Sequence, residues 1–138
     1  MIAIVIGKGE EEVGKYVINV NEVPVGKIPG REIRDLINGK TVGAKTISLR
    51  ITDVLPGEVC TPGHTHTECE EVIFVLSGKG DIKIGEEVFP MKAGDAICLP
   101  VGIGHLIRNT GKEMMRMACS FSSPDFSRDL KSVESMKF

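Results

Sequence analysis

Glycine and proline cut this chain into short lengths, and that punctuation limits the fold more than any other feature. Sixteen glycines and seven prolines fall at short intervals along 138 residues. The segments between them read as strands. In TISLRITDV (46–54), Ile47, Leu49 and Ile51 share one face while Ser48, Arg50 and Thr52 share the other, the alternation of a half-buried strand. EVIFVLSG (71–78) is apolar at every position from Val72 to Leu76, so both faces of that strand are expected to be buried. SGKGDIKI has the turn residues of a hairpin returning through 81–84, and a second turn at 85–87 leads to a strand over 88–91. Further strands are expected over 96–99, 105–109 and 114–121, the last with Met115, Met117, Cys119 and Phe121 on one face. Several short strands with turns between them predict an all-β sandwich or barrel.

Only REIRDLI (31–37) has a helical look, and the polar tail from Pro124 to Phe138 is expected to hold a short helix or to fray. There is no linker, low-complexity block or internal repeat, and the length suits one domain. Hydrophobic residues make up 41% and charged residues 26%, ordinary for a soluble globular protein. A formal net charge of −2 argues against nucleic acid as the main partner, because phosphate binding needs a basic surface. No stretch approaches the roughly 20 apolar residues that span a bilayer. MIAIVIG lacks preceding basic residues and is followed by GKGEEE, so it reads as an early edge strand in a cytoplasmic protein, not as a signal peptide. Cys60, Cys69, Cys98 and Cys119 form no CxxC pair and are expected to be free thiols, mostly buried.

Two of the three histidines lie in GHTHTECEE (63–71). A His-x-His pair on a strand projects both imidazoles from one face, because side chains alternate with a period of two. Joined by a carboxylate and a further histidine, such a pair suits a divalent first-row metal: Mn, Fe, Ni, Cu or Zn. The third histidine, His105, lies in GDAICLPVGIGHLIRN, where a strand runs into Pro100–Val101–Gly102, turns and restarts. Taken alone, the pair is equally a polar turn, and His105 an ordinary strand histidine.

The two segments together resemble the cupin family. Its first motif is a glycine, five residues, H-x-H, three or four residues, glutamate, six residues and a glycine. His64, His66, Glu71 and Gly78 fit it, while Gly57 sits one residue too far upstream. The second motif is a glycine, five residues, P-x-G, two residues, histidine, three residues and an asparagine. Gly94, Pro100, Gly102, His105 and Asn109 match it without a gap. The resemblance covers about residues 45–121, with N-terminal strands before it and a tail from 122 after it. It implies a double-stranded β-helix, or jelly-roll, barrel of six to eight strands. Its metal would be held by His64, His66, Glu71 and His105. Strand parity from His66 alone favours Glu70; the motif count favours Glu71, which requires an irregular turn at 67–69. With Glu71 inward, Ile73 and Val75 are expected to line the pocket, and Asn109 to fix a turn.

The outward Val72, Phe74 and Leu76 need a cover, either the N-terminal segment or, as favoured here, the second subunit of a homodimer. The function implied is a small metal-binding cupin acting on a small organic acid or enolizable substrate, as a metal-dependent oxygenase or isomerase. The alternative is a non-catalytic module that binds or senses a small molecule or metal. Arg50 is an anion clamp only if its face points inward, and the Ile47/Leu49/Ile51 face is expected there instead. Arg31 and Arg34 are expected to be exposed and salt-bridged. With no tryptophan and one tyrosine, a sugar-stacking platform is disfavoured.

Overall fold

A computed structural model of the chain describes residues 16–125 and 127–138. The strand expected in MIAIVIG lies outside the described residues. Among the described residues, eleven strands follow one 3-10 turn at Val20–Glu22. They are β1 (Gly26–Ile28), β2 (Arg31–Ile37), β3 (Ser48–Val54), β4 (Gly63–His66), β5 (Glu71–Ser77) and β6 (Lys79–Ile84). After these come β7 (Glu87–Lys92), β8 (Ala96–Leu99), β9 (His105–Asn109), β10 (Met115–Phe121) and β11 (Leu130–Val133). One sheet has the order β1-β2-β3-β10-β5-β8 and the other β11-β4-β9-β6-β7; every pairing is antiparallel. The sheets share a core to which one contributes Val54, Ile73, Val75 and Met115, and the other Ile82, Met91 and Ile107.

Two segments correct the expectations. REIRDLI is strand β2, not helix, paired with β3 from Arg31↔Val54 to Ile37↔Leu49. Its charges are satisfied across the sheet: Arg34 Nη1 lies 2.8 Å from Asp53 Oδ2, and Arg50 Nε lies 2.6 Å from Asp35 Oδ1. The tail likewise forms a strand, β11, in register with β4 through Leu130↔His66 and Ser132↔His64.

The facing of β3 is also the reverse of that expected. Leu49 and Ile51 point outward, where Val23 and Leu36, with Ile18 and Val20 beside them, cover them in a second apolar cluster. The alternation was real, but the more apolar face packs under the N-terminal segment. That leaves Arg50 and Thr52 on the interior wall. β5 differs from its expected burial on both faces. Ile73 and Val75 are fully buried, yet Val72, Phe74 and Leu76 are 47%, 43% and 46% exposed. Among the described residues, the N-terminal cover reaches β3 and β10 and does not extend to β5.

Candidate metal centre

The first histidine pair sits on β4, the edge of whose pairing with β9 sets His64 directly opposite His105. Their ring centroids are 4.4 Å apart, and His66 lies 5.2 Å from His64 on the same face. A backbone bond ties the two motifs together: the Gly102 N–H donates to the His66 carbonyl at 2.7 Å. Gly102 has φ 82, so the turn that aims His105 uses a conformation in which a β-carbon is strained. Asn109 fixes the next turn, its Nδ2 donating to the carbonyls of Val54 and Glu113 and its Oδ1 accepting from Gly111 N–H.

Between β4 and β5 the chain leaves the strand geometry, and the parity changes as the motif count required. Asp129, from the tail, captures this turn. Its Oδ2 accepts the N–H groups of Glu68 (2.6 Å) and Cys69 (2.9 Å), and its backbone carbonyl accepts that of Thr67 (3.1 Å). Glu71 emerges inward and only 5% exposed, while Glu70 is exposed and its N–H donates to Ser122 Oγ. Glu71 Oε1 then lies 3.4 Å from His105 Nε2 and 3.8 Å from His66 Nε2.

Four donor atoms, one each from His64, His66, Glu71 and His105, fall within 4.8 Å of one another. Ligands at about 2.0–2.2 Å from one ion would be separated by roughly 3–4 Å, and the two distances from Glu71 to His105 and His66 fall in that range. Glu71 Oε1 is buried without a hydrogen bond among the described residues. A buried carboxylate oxygen left so is costly unless a cation faces it. Burial, reinforced by the charges of His105 and His66, lowers the His64 pKa to about 3, which keeps its imidazole neutral, the state that ligates metal. The residues fit a divalent transition-metal ion.

Asp129 was missed by sequence reasoning, because nothing in a polar tail marks one aspartate for the interior. Its Oδ1 faces His66 Nδ1 at 3.4 Å. A proton on Nδ1 shared with that carboxylate directs the Nε2 lone pair toward Glu71. Burial would raise the Asp129 pKa, but the Glu68 N–H and His66 hold it below the ordinary carboxylate range. His66, Cys69 and Asp129 are themselves close enough to ligate an ion. Burial and the Asp129 charge push the Cys69 thiol up to about 12, so this trio reads as a support for His66.

A cavity of about 360 Å³ opens over the four residues. Ile73 and Val75 point inward as expected but belong to the solid core; they do not line this cavity. Its walls are Ile33, Ile107, Met117, Phe121 and Leu130, with Arg31, Arg50 and Thr52 among them. Arg50 is held by Asp35, whereas Arg31, expected to be salt-bridged, meets no carboxylate among the described residues.

The cupin domain model matches residues 50–121, more than half of the chain. The chain belongs to the cupin family. This cupin is 30% identical over 106 residues to polyketide synthase CurC of Streptomyces cyaneus, covering 77% of the chain and 68% of CurC. Among solved structures, the oxalate decarboxylase of Bacillus subtilis, an enzyme with Mn(II) centres, superposes with a TM-score of 0.73 at 22% identity. That match covers 83% of this cupin but 31% of the decarboxylase chain, so this cupin spans about a third of that enzyme. The nucleoside dehydratase Pac13 of Streptomyces gives 0.73 at 17% identity, covering 88% of this cupin and 93% of Pac13. At these identities the two structures establish the fold, a double-stranded β-helix. No helix among the described residues is long and apolar enough to cross a membrane.

Proposed function

We propose that this cupin binds one divalent transition metal through His64, His66, Glu71 and His105 and acts on a small organic substrate in the cavity above it. The observation that carries this reading is the convergence of the four donors around a buried, hydrogen-bond-free Glu71 oxygen. Mn, Fe, Ni, Cu and Zn all accept three imidazoles and a carboxylate. The relatives of this fold include enzymes, among them a decarboxylase with Mn(II) centres. The bound ion would supply Lewis acidity toward a carbonyl or enol oxygen, within reach of oxygenase or isomerase chemistry. The chain's own part is to orient and desolvate the substrate. Met117, Phe121 and Ile107 exclude water from its body, and Asp129 holds the His66 ring in place.

The exposed Val72, Phe74 and Leu76 support a homodimer formed through the outer face of β5. All four cysteines are free, which supports a reducing, cytoplasmic location. The deciding experiment is metal analysis of protein purified without a histidine tag, before and after incubation with each of the five metals. One equivalent of metal is expected; protein that takes up none would end the reading. Oxygen uptake by the iron form across small phenols, diketones and thiols then separates enzyme from sensor. Turnover is expected, and saturable binding without turnover would favour the sensing module instead.

A further inference from the structure

Five of the six arginines divide by what they face. Arg34 and Arg116 share Asp53, Arg50 holds Asp35, and Arg108 holds Asp81. Arg31 lines the cavity and meets no carboxylate among the described residues. Its Nη1 donates to the Pro29 carbonyl at 2.7 Å and to the Thr61 carbonyl at 3.4 Å, and the guanidinium also reaches the Cys60 thiol. These neutral partners fix its position and leave further N–H donors unused, since a guanidinium has five. Thr61 lies three residues before His64, so the same contacts anchor Arg31 to the segment that carries the first histidine.

We propose that Arg31 recognises the carboxylate of a small organic acid whose apolar body fills the cavity. Among the described residues Glu71 is the one carboxylate on the lining, against two arginines, and Arg50 is already neutralised by Asp35. Around that positive charge Ile33, Met117, Phe121 and Leu130 stand beside the hydroxyls of Thr52, Ser127 and Ser132, a lining that suits an apolar body carrying one anionic group. The flat guanidinium fork matches a planar carboxylate with two parallel hydrogen bonds. This inference extends the reading of the cavity as a substrate site by naming the class of substrate, and it does not require the ion to be present.

Calorimetric titration tests it, with benzoate as probe, benzamide as its uncharged match and inorganic phosphate as a second anion. Each is added to metal-free and Mn-incubated protein, wild type, Arg31→Gln and Arg31→Lys, after thermal melts establish that the variants fold. Saturable benzoate binding by the wild type is expected, at least about tenfold weaker in Arg31→Gln and intermediate in Arg31→Lys, with benzamide insensitive to either change. No saturable benzoate binding in either wild-type form would overturn the proposal. So would equal benzoate affinity in wild type and Arg31→Gln, or a preference for phosphate or benzamide. If Arg31→Gln does not fold, the Lys variant decides: benzoate affinity unchanged from wild type overturns the proposal. Arg31-dependent binding in protein that takes up no metal would uphold this inference while the metal reading fell. Metal uptake with Arg31-independent binding would do the reverse.

Discussion

The two ends of the barrel are made from the same strands and filled in opposite ways. β5 gives Glu71 to the open end and Ile73 and Val75 to the closed one. β10 sends Met117 and Phe121 to the cavity wall and Met115 to the solid core. At the closed end every side chain meets another apolar side chain, so burial there is favourable by about 25 cal/mol per Å² of apolar surface. At the open end His66, His105 and Glu71 are buried against one another with His64 half-buried beside them, an arrangement that costs free energy until a ligand repays it. The difference assigns stability to one end and chemistry to the other, a few residues apart on a single strand.

The strongest way to break that division is at the open end. His64→Ala/His66→Ala is expected to abolish stoichiometric metal uptake while the metal-free protein melts at or above the wild-type temperature. A large loss of metal-free stability in this variant would show that the histidines carry packing the closed end was thought to supply. The converse is Ile73→Ala, a truncation of a fully buried side chain. It is expected to cost about 2–5 kcal/mol in denaturant unfolding, with metal stoichiometry per folded molecule unchanged. Lost metal binding in the folded fraction would mean that the two ends are mechanically coupled.

What the sequence disclosed follows the same division. The set His64, His66, Glu71 and His105 came from the resemblance to the two cupin motifs, since strand parity alone favoured Glu70, and the fold brings donor atoms of these four together. The inward face of β10 was legible too, because Met115, Met117, Cys119 and Phe121 all meet core or cavity. The orientation of β3 was not. An apolar stripe says that a face is covered and not by what, and here the cover is the segment around Val20 and Val23. β2 looked helical in its local sequence alone, and the partners that hold Arg34 and Asp35 in the sheet, Asp53 and Arg50, arrive only on β3. β11 has no alternating pattern because its place depends on backbone pairing with β4. Asp129 and Arg31 owe their positions to these two strands, which is why neither stood out.

Asp129 sharpens the comparison, being a charge from the tail that serves the open end alone. Asp129→Asn keeps the shape of the side chain and removes the charge that favours the Nδ1 proton of His66. Metal affinity is expected to fall about 10- to 100-fold, roughly 1.4–2.8 kcal/mol, measured by competition with a chelator. An unchanged affinity would confine Asp129 to holding the turn at Glu68 and Cys69.

The smallest effect expected is one of pH, and its sign follows from His64. In the folded, metal-free protein its pKa is lowered to about 3, below the ordinary value of 6.5. Below pH 6.5 the unfolded chain therefore binds a proton that the folded chain refuses, so stability is full above that pH and falls as the pH drops toward 3. Asp129, with its pKa also lowered, adds loss of the same sign at more acidic pH. Between pH 7 and 5.5 the histidine contributes a loss on the order of 1 kcal/mol. Melting of the metal-free protein at the two pH values should reveal it, and His64→Gln should flatten the profile. Ile73→Ala, lying in the apolar core, should instead lower both melting points alike. A wild-type profile that is flat, or that rises toward pH 5.5, would mean that His64 accepts a proton in the folded state and is not held in a neutral, metal-ready form.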